Sequence, residues 1–252
     1  LKVVKVFKEN KQFTLFSILA LIVVGVAVFA PQIAPYDPLD AVMLESLQAP
    51  SSAHPFGTDK LGLTYCHELF SEPELSLVMT LCLVAVIFVI GTFLGIIAGY
   101  FGGIVDGVIM RIADMMISFP GLVLAIAIAG MLGPNLVNAV ISIAAVSWTK
   151  YARLARSMVL RVKKNLYIEA AVVNGTKTWK ILLVHVLPNM VTQMVVTAAA
   201  DIGTMMLELA SLSFLGFGAT APTPEWGLML NEGRTYMAKA PWLMESVSQG
   251  SE

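Results

Sequence analysis

Long apolar runs separated by short polar segments dominate the chain. Five of these runs are long enough to cross a bilayer as helices, since about 20 apolar residues span its hydrocarbon core. We place the spans at residues 13–30, 75–98, 104–132, 138–160 and 187–215. Pro120 falls inside the third run and must bend or break it, because proline removes a helix hydrogen bond. Glycine-rich turns are predicted on either side of the third span, at residues 99–103 and 133–135.

The first run has a competing interpretation as a cleaved signal peptide. Val28-Phe29-Ala30 resembles a cleavage site, but an apolar stretch of about 18 residues exceeds the usual length of about 7–15. We therefore favour a retained span at residues 13–30. Residues 31–74 are rich in proline and polar side chains, which predicts a segment outside the bilayer.

Lysine and arginine are unevenly distributed and set the orientation. Of 16 such residues, four precede the first span, and eight lie at the end of the fourth span and in the loop after it: Lys150, Arg153, Arg156, Arg161, Lys163, Lys164, Lys177 and Lys180. Because basic loops stay in the cytoplasm, residues 1–12 and 161–186 are expected on the cytoplasmic face. Residues 31–74 and a rigid, glycine- and proline-rich loop at 216–241 are then expected outside.

Composition supports a membrane protein and argues against several other classes. The 252 residues are 57% hydrophobic and 13% charged, whereas a soluble domain is about half apolar and about a quarter charged. The mean hydropathy is +0.79. The sequence has no basic tract that would indicate nucleic-acid binding. His54 and His67 are expected outside and His185 inside, so they cannot form one catalytic site, and we expect no catalytic residues.

The two cysteines are expected to be unpaired thiols, because Cys82 lies inside an apolar run. His67 stands between Cys66 and Glu68, which suggests metal ligation. Adjacent residues of one element point in different directions, however, so they ligate a metal poorly together. We therefore predict no metal site.

The loop at 161–186 is too polar to span a bilayer, yet it has helical periodicity at Leu166, Ala170 and Val173. Gly175 can end this helix in the left-handed conformation. Thr176 or Thr178 can cap a short second helix that contains Trp179. The pattern predicts a helix–glycine–helix hairpin whose apolar face a partner groove would bury.

The same loop carries a family signature. Glu169-Ala170-Ala171, Gly175 and the closing Leu187-Pro188 resemble the "EAA" motif of bacterial ABC importer permeases, with His185 at the usual isoleucine position. Other stretches resemble the second-permease, or "C"-type, members of the dipeptide/oligopeptide/nickel branch: His54–Asp59, Ala98–Gly103, Asp114–Pro120, Ser211–Gly216 and Pro222–Gly227.

The resemblance implies an all-α, polytopic bundle with the type I importer permease fold, a core at residues 75–242 and a coupling loop at 161–186. It implies import of di- or oligopeptides across a bacterial or archaeal cytoplasmic membrane, or alternatively of nickel or metal chelates. The partners would be a second homologous permease, two cytoplasmic ATP-binding subunits and an extracytoplasmic solute-binding protein. ATP and Mg would be bound by the ATPase, since this sequence lacks a G-x-x-x-x-G-K-[ST] loop, and the chain itself would hold no cofactor.

Two segments depart from the family pattern. Residues 63–74 lack the usual glycine–arginine motifs, and residues 243–252 are polar where the family continues into a sixth span. About five spans are therefore visible where six are usual. We expect a truncated or frameshifted chain end.

Charged residues within the spans mark further candidate sites, because lipid cannot solvate them. Arg111 and Asp114 are three residues apart and can pair on one helix face. Asp201 and Glu208 are seven apart on the fifth span and share a face, either as the lining of a translocation path or as structural groups. An ion-coupled secondary transporter is less favoured, because it needs paired broken helices in repeated halves and only one span is broken by proline.

Overall fold

The computed structural model describes residues 46–51, 54, 57, 58, 60, 62, 73–220, 223 and 225–243. The predicted first span and N-terminal segment at 1–30, and the polar tail at 244–252, lie outside these residues. The chain divides into two compact units, Ser76–Thr223 and the pair of segments Leu1–Leu75 and Pro224–Glu252, which are described separately.

The described elements are helices α1 (Pro73–Phe101), α2 (Gly103–Ile117), α3 (Gly121–Leu132), α4 (Leu136–Val162), α5 (Leu166–Val173), α6 (Thr178–Lys180), a π-helical turn (Ile181–Val186), α7 (Leu187–Phe214) and α8 (Trp226–Tyr236). The predicted all-α fold is confirmed over residues 73–220. From α6 through the π-helical turn to α7 the helix is continuous for 37 residues.

Two of the described helices are long and apolar enough to cross a membrane: Leu75–Phe101 and Thr178–Phe214. Helices α2 and α3 make a third, bent candidate, with an angle of 91° between them. Pro120 stands at the N-terminal cap of α3, so the predicted break is confirmed. Helix α4 has 27 residues, about 40 Å, but four basic residues in its second half make it less apolar.

The turn predicted at 99–103 is mostly wrong. Residues 99–101 are helical, and the chain turns only at Gly102 and Gly103, whose φ angles are 66° and 54°. The turn at 133–135 is confirmed, because Gly133 has φ 89° and the Asn135 side chain caps α4 by accepting from the Val137 N–H at 2.8 Å.

Gly99 is instead the last of three glycines that face α4 at four-residue intervals. An added Cβ would lie 2.5 Å from the Cβ of Tyr151 at Gly91, 2.7 Å from the Cβ of Ala155 at Gly95, and 2.9 Å from the Cβ of Val159 at Gly99. Small residues at this spacing let two membrane helices approach closely. This glycine seam sets how α1 packs on α4.

The core of the Ser76–Thr223 unit lies among α1, α4, α7 and the π-helical turn. Its largest fully buried side chains include Leu83, Ile87, Ile143, Met190 and Leu209. Tyr151 is also fully buried and makes an edge-to-face contact with Phe88, with ring centroids 6.0 Å apart.

The other unit contains α8, where the sequence predicted only a loop. Glu225 caps this helix by accepting from the Leu228 N–H at 3.1 Å. Lys60 pairs with Glu232 at 2.6 Å, and a small cluster of Met229, Ala240 and Leu243 is buried. The predicted loop at 216–241 thus contains a helix, which the sequence did not indicate because proline and glycine at 216–227 masked the helical segment that follows them.

Candidate coupling hairpin and membrane cavity

The second half of α4 binds acids on two neighbouring helices. Three basic residues, spaced three apart, each form an ion pair: Lys150 with Asp201 of α7, Arg153 with Asp114 of α2, and Arg156 with Asp106 of α2. Arg156 makes a two-pronged pair, with nitrogen–oxygen distances of 2.5 and 2.6 Å. Three of the basic residues used to orient the chain therefore also link α4 to α2 and α7.

The predicted pair of Arg111 with Asp114 is wrong. Asp114 accepts from Arg153 of α4 instead, because a carboxylate at this position faces the neighbouring helix rather than its own. Arg111 makes no ion pair within residues 73–220, and it borders a shallow groove on α2 together with Gly107 and Val108.

A cavity of about 330 Å³ lies where the α2–α3 bend meets α4 and α7. Its apolar wall comes mainly from the bend and from α1 and α4: Ile87, Met116, Ile117, Phe119 and Val146. Its polar groups come from α4 and α7: Ser147, Thr149, Lys150, Tyr151, Asp201, Thr204 and Glu208. The two acids predicted to share a face of α7 thus border the same cavity.

Asp201 is fully engaged by α4. Only 5% of the residue is exposed, and one carboxylate oxygen accepts from the Lys150 ammonium at 2.6 Å while the other accepts from the Tyr151 hydroxyl at 2.9 Å. A buried carboxylate with a paired cation and a second donor is compensated in both charge and hydrogen bonding. Asp201 therefore ties α7 to α4.

Glu208 differs from Asp201 in its surroundings. It is half-buried two turns further along α7, and within residues 73–220 no side chain donates a hydrogen bond to it. Its carboxylate remains available to a group that enters the cavity.

The hairpin after α4 has the predicted form. Gly175 has φ 73°, and two hydrogen bonds close the end of α5: Gly175 N–H to Val172 O at 2.9 Å and Thr176 N–H to Ala171 O at 3.0 Å. The second bond, between residues five apart, is the one that defines a Schellman motif at the end of a helix. Neither predicted threonine caps α6, because Lys177 occupies the cap position without a side-chain hydrogen bond.

The inner side of the hairpin is fixed to the bundle. Ile168 of α5 is 2% exposed, and Ile181 and Val186 of the π-helical turn are also buried in the main core. Tyr167 and His185 pack with ring centroids 6.4 Å apart. The hairpin is therefore packed against the bundle along this side.

The outer side of the hairpin is apolar and uncovered. Val173 is 86% exposed, Leu166 is 82% exposed and Trp179 is 60% exposed. The remaining residues of the family signature divide between the two sides. Glu169, Ala170, Gly175 and Pro188 are exposed, whereas Ala171 and Leu187 are half-buried.

Cys66, His67 and Glu68, for which we predict no metal site, lie outside the described residues. Across the part of the chain that is described, no group of three His, Cys, Asp or Glu side chains is arranged to hold a metal. Cys82 is a free thiol on the exposed side of α1.

Comparison with protein families gives two matches. The family described as "Binding-protein-dependent transport system inner membrane component" matches residues 91–244. The chain belongs to this family. A second family, "N-terminal TM domain of oligopeptide transport permease C", matches residues 2–50, which include the predicted first span.

Curated relatives extend the similarity over almost the whole chain. The "Dipeptide transport system permease protein DppC" of Alkalihalophilus pseudofirmus is 40% identical over 94% of this chain and 78% of its own length. The "Probable D,D-dipeptide transport system permease protein DdpC" of Escherichia coli is 36% identical over 96% of this chain and 81% of its own. The "Glutathione transport system permease protein GsiD" of Pectobacterium atrosepticum is 41% identical over 88% of this chain and 74% of its own length.

These matches confirm the class predicted from the loop motif. The permease is a membrane component of an ABC importer, of the "C" type, and is not an enzyme.

Proposed function

We propose that this permease passes short peptides across the bacterial cytoplasmic membrane. Support comes from the relatives, which are named for dipeptides, D,D-dipeptides and glutathione and cover most of the chain at 36–41% identity. Glutathione is itself a tripeptide, so the three names share one chemical class. Nickel or metal-chelate uptake, the alternative from the sequence, has no support in these names.

The family description supports an extracytoplasmic solute-binding protein as one partner. The remaining partners are a second homologous permease and two cytoplasmic ATP-binding subunits, which bind ATP and Mg and supply the energy. Neither nucleotide nor metal is assigned to a residue of this chain.

The hairpin is the surface on which the ATPase acts. The observation that carries this assignment is an apolar face, formed by Leu166, Val173 and Trp179, which stays exposed although the other side of the same hairpin is buried. Exposed apolar surface of this kind marks sites where proteins associate. Because the hairpin joins α4 to α7, any motion imposed on it reaches the two helices that supply the polar groups of the cavity.

The orientation follows from charge. Basic residues surround the hairpin: Arg161, Lys163, Lys164, Lys177 and Lys180. Such residues favour the cytoplasmic side, and the lysines before the first span, Lys2, Lys5, Lys8 and Lys11, favour the same side for the N-terminus of this multi-pass protein. The cavity bordered by Asp201 and Glu208 then lies along the translocation path.

Two glycines allow a matched test of the hairpin. Gly175 and Gly133 both have positive φ, at 73° and 89°, and both have open space where a Cβ would be added. They lie beyond opposite ends of α4, so only Gly175 is at the proposed docking surface. Replacement by alanine strains the backbone at both positions, and more so at Gly133, whose ψ of 163° lies in a region that essentially only glycine adopts, so Gly133→Ala is the more demanding of the two changes.

The assay is ATP-dependent peptide uptake by the complete transporter in proteoliposomes, with permease insertion measured in parallel. We expect Gly175→Ala, and more strongly Gly175→Pro or Glu169→Lys, to lower uptake while insertion persists, and Gly133→Ala to retain it. Unchanged uptake in all three hairpin variants would overturn the coupling role. Uptake by the lone chain, driven by an ion gradient without ATP, would instead favour a secondary transporter.

A further inference from the structure

The cavity where the α2–α3 bend meets α4 and α7 is lined by more acidic than basic side chains, which favours a cationic ligand. Its described lining contains one cation, Lys150, and two acids, Asp201 and Glu208, and thus carries one net negative charge when all three are ionised. Tyr151 is the other titratable group in the lining, and its hydroxyl already donates to Asp201.

The two acids are not equivalent. Lys150 and Tyr151 each donate to one oxygen of Asp201, and only 5% of this residue is exposed, so its carboxylate is already paired and offers little surface to a ligand. Glu208 borders the same cavity without a donor within residues 73–220. A carboxylate in a membrane segment must meet protein, water or a cationic ligand, because lipid cannot solvate its charge.

The size and walls of the cavity narrow the ligand class. A volume of about 330 Å³ is at the lower end of small-molecule sites, which run from about 300 to 1,000 Å³, so it accommodates one end of a short peptide. Phe119, Ile117 and Met116 form an apolar wall suited to a side chain, while Ser147 and Thr204 add hydroxyl groups. An ammonium group would complete the charge balance at Glu208.

We propose that Glu208 is the counter-ion that receives the α-ammonium group of a peptide in transit, while the Lys150–Asp201–Tyr151 group forms a fixed wall. This inference rests on the proposed peptide transport and deepens it. Binding involves no bond breaking, only a charge-assisted hydrogen bond from the ammonium to the carboxylate. Such bonds are among the stronger polar interactions in proteins.

The test compares a peptide that has a free amino terminus with its N-acetylated form. The complete transporter is reconstituted in proteoliposomes, and each peptide is supplied at a concentration that saturates the binding protein, so the rate reports passage rather than capture. Glu208→Gln removes the charge at nearly constant size, and Glu208→Asp retains it.

We expect Glu208→Gln to slow passage of the free-amine peptide about tenfold while passage of the acetylated peptide is unchanged. Glu208→Asp should keep most of the preference for the free amine. Equal loss for both peptides, or no loss for either, would overturn the role of Glu208 while peptide transport itself stands. If the unmodified transporter moved Ni²⁺ and no peptide, the proposed function would fail first, and this inference would fail with it.

Discussion

Replacement of Gly95 by alanine tests the packing on which the bundle depends. Gly95 is buried at the centre of the seam between α1 and α4. A Cβ added there lies 2.7 Å from the Cβ of Ala155 and closer still to the carbonyl oxygen of Ala152. Neither atom is the end of a flexible side chain, so no rotamer change relieves the contact.

The distances set the expected magnitude. Ordinary carbon contacts begin near 3.4 Å, so the two helices must separate by about 0.7 Å or more at this point. Overpacking of this kind costs about 1–3 kcal/mol. The better helix propensity of alanine returns about 0.5–1 kcal/mol. For a close clash with backbone we expect a net loss of about 2 kcal/mol, which lowers Tm by about 4–8 °C in a chain of this size.

Gly203→Ala is the matched control. Gly203 is exposed on α7, has an ordinary helical backbone and has nothing within 4 Å of an added Cβ. The Gly203→Ala variant should be more stable than the unmodified permease by about 0.5–1 kcal/mol, from helix propensity alone. Thermal unfolding of the purified permease in detergent, followed by size-exclusion chromatography, measures both variants. If Gly95→Ala is as stable as Gly203→Ala, the close approach of α1 to α4 is refuted.

Two further predictions concern α4 and the hairpin. Lys150→Met should destabilise the permease by about 1–3 kcal/mol, because it leaves the buried carboxylate of Asp201 with the Tyr151 hydroxyl but without its cation. The double variant with Asp201→Asn should recover more than half of this loss in the same thermal assay, and no recovery would contradict the pairing. On the hairpin, Val173→Ser should change the free energy of unfolding by less than about 0.5 kcal/mol yet lower ATP-dependent uptake. Ile168→Ala should lower the free energy of unfolding by about 2–5 kcal/mol, because Ile168 is buried. If thermal unfolding shows Val173→Ser to be the more destabilising variant, the two sides of the hairpin are misassigned.

Local chemistry explains which elements the sequence could predict. Pro120 and Gly175 act on their own stretch of backbone, and both mark chain breaks where expected. Gly99 was misread because glycine serves both turns and close packing, and only the opposing Val159 distinguishes these roles. Helix α8 was missed for a related reason, since a cluster of proline and glycine obscured the start of its periodicity.

Side-chain pairing was less predictable, because it depends on residues distant in sequence. Asp114 binds Arg153, 39 positions away, rather than Arg111 on its own helix. Likewise, nothing near Asp201 in sequence distinguishes it from Glu208, since the partners that occupy Asp201 lie about 50 positions earlier, at Lys150 and Tyr151. The sequence could place both acids on one face of a helix, but only the fold separates their roles.

The most direct test asks on which side of the membrane the hairpin lies. A single cysteine at Val173, the most exposed position of the apolar face, is introduced into a permease whose Cys66 and Cys82 are replaced by serine, and it is labelled with a membrane-impermeant thiol reagent. We expect labelling in inside-out vesicles, protection when the ATPase subunits are assembled, and none in right-side-out vesicles. Labelling from the outside, or no labelling from either side without the ATPase, would contradict a cytoplasmic coupling surface.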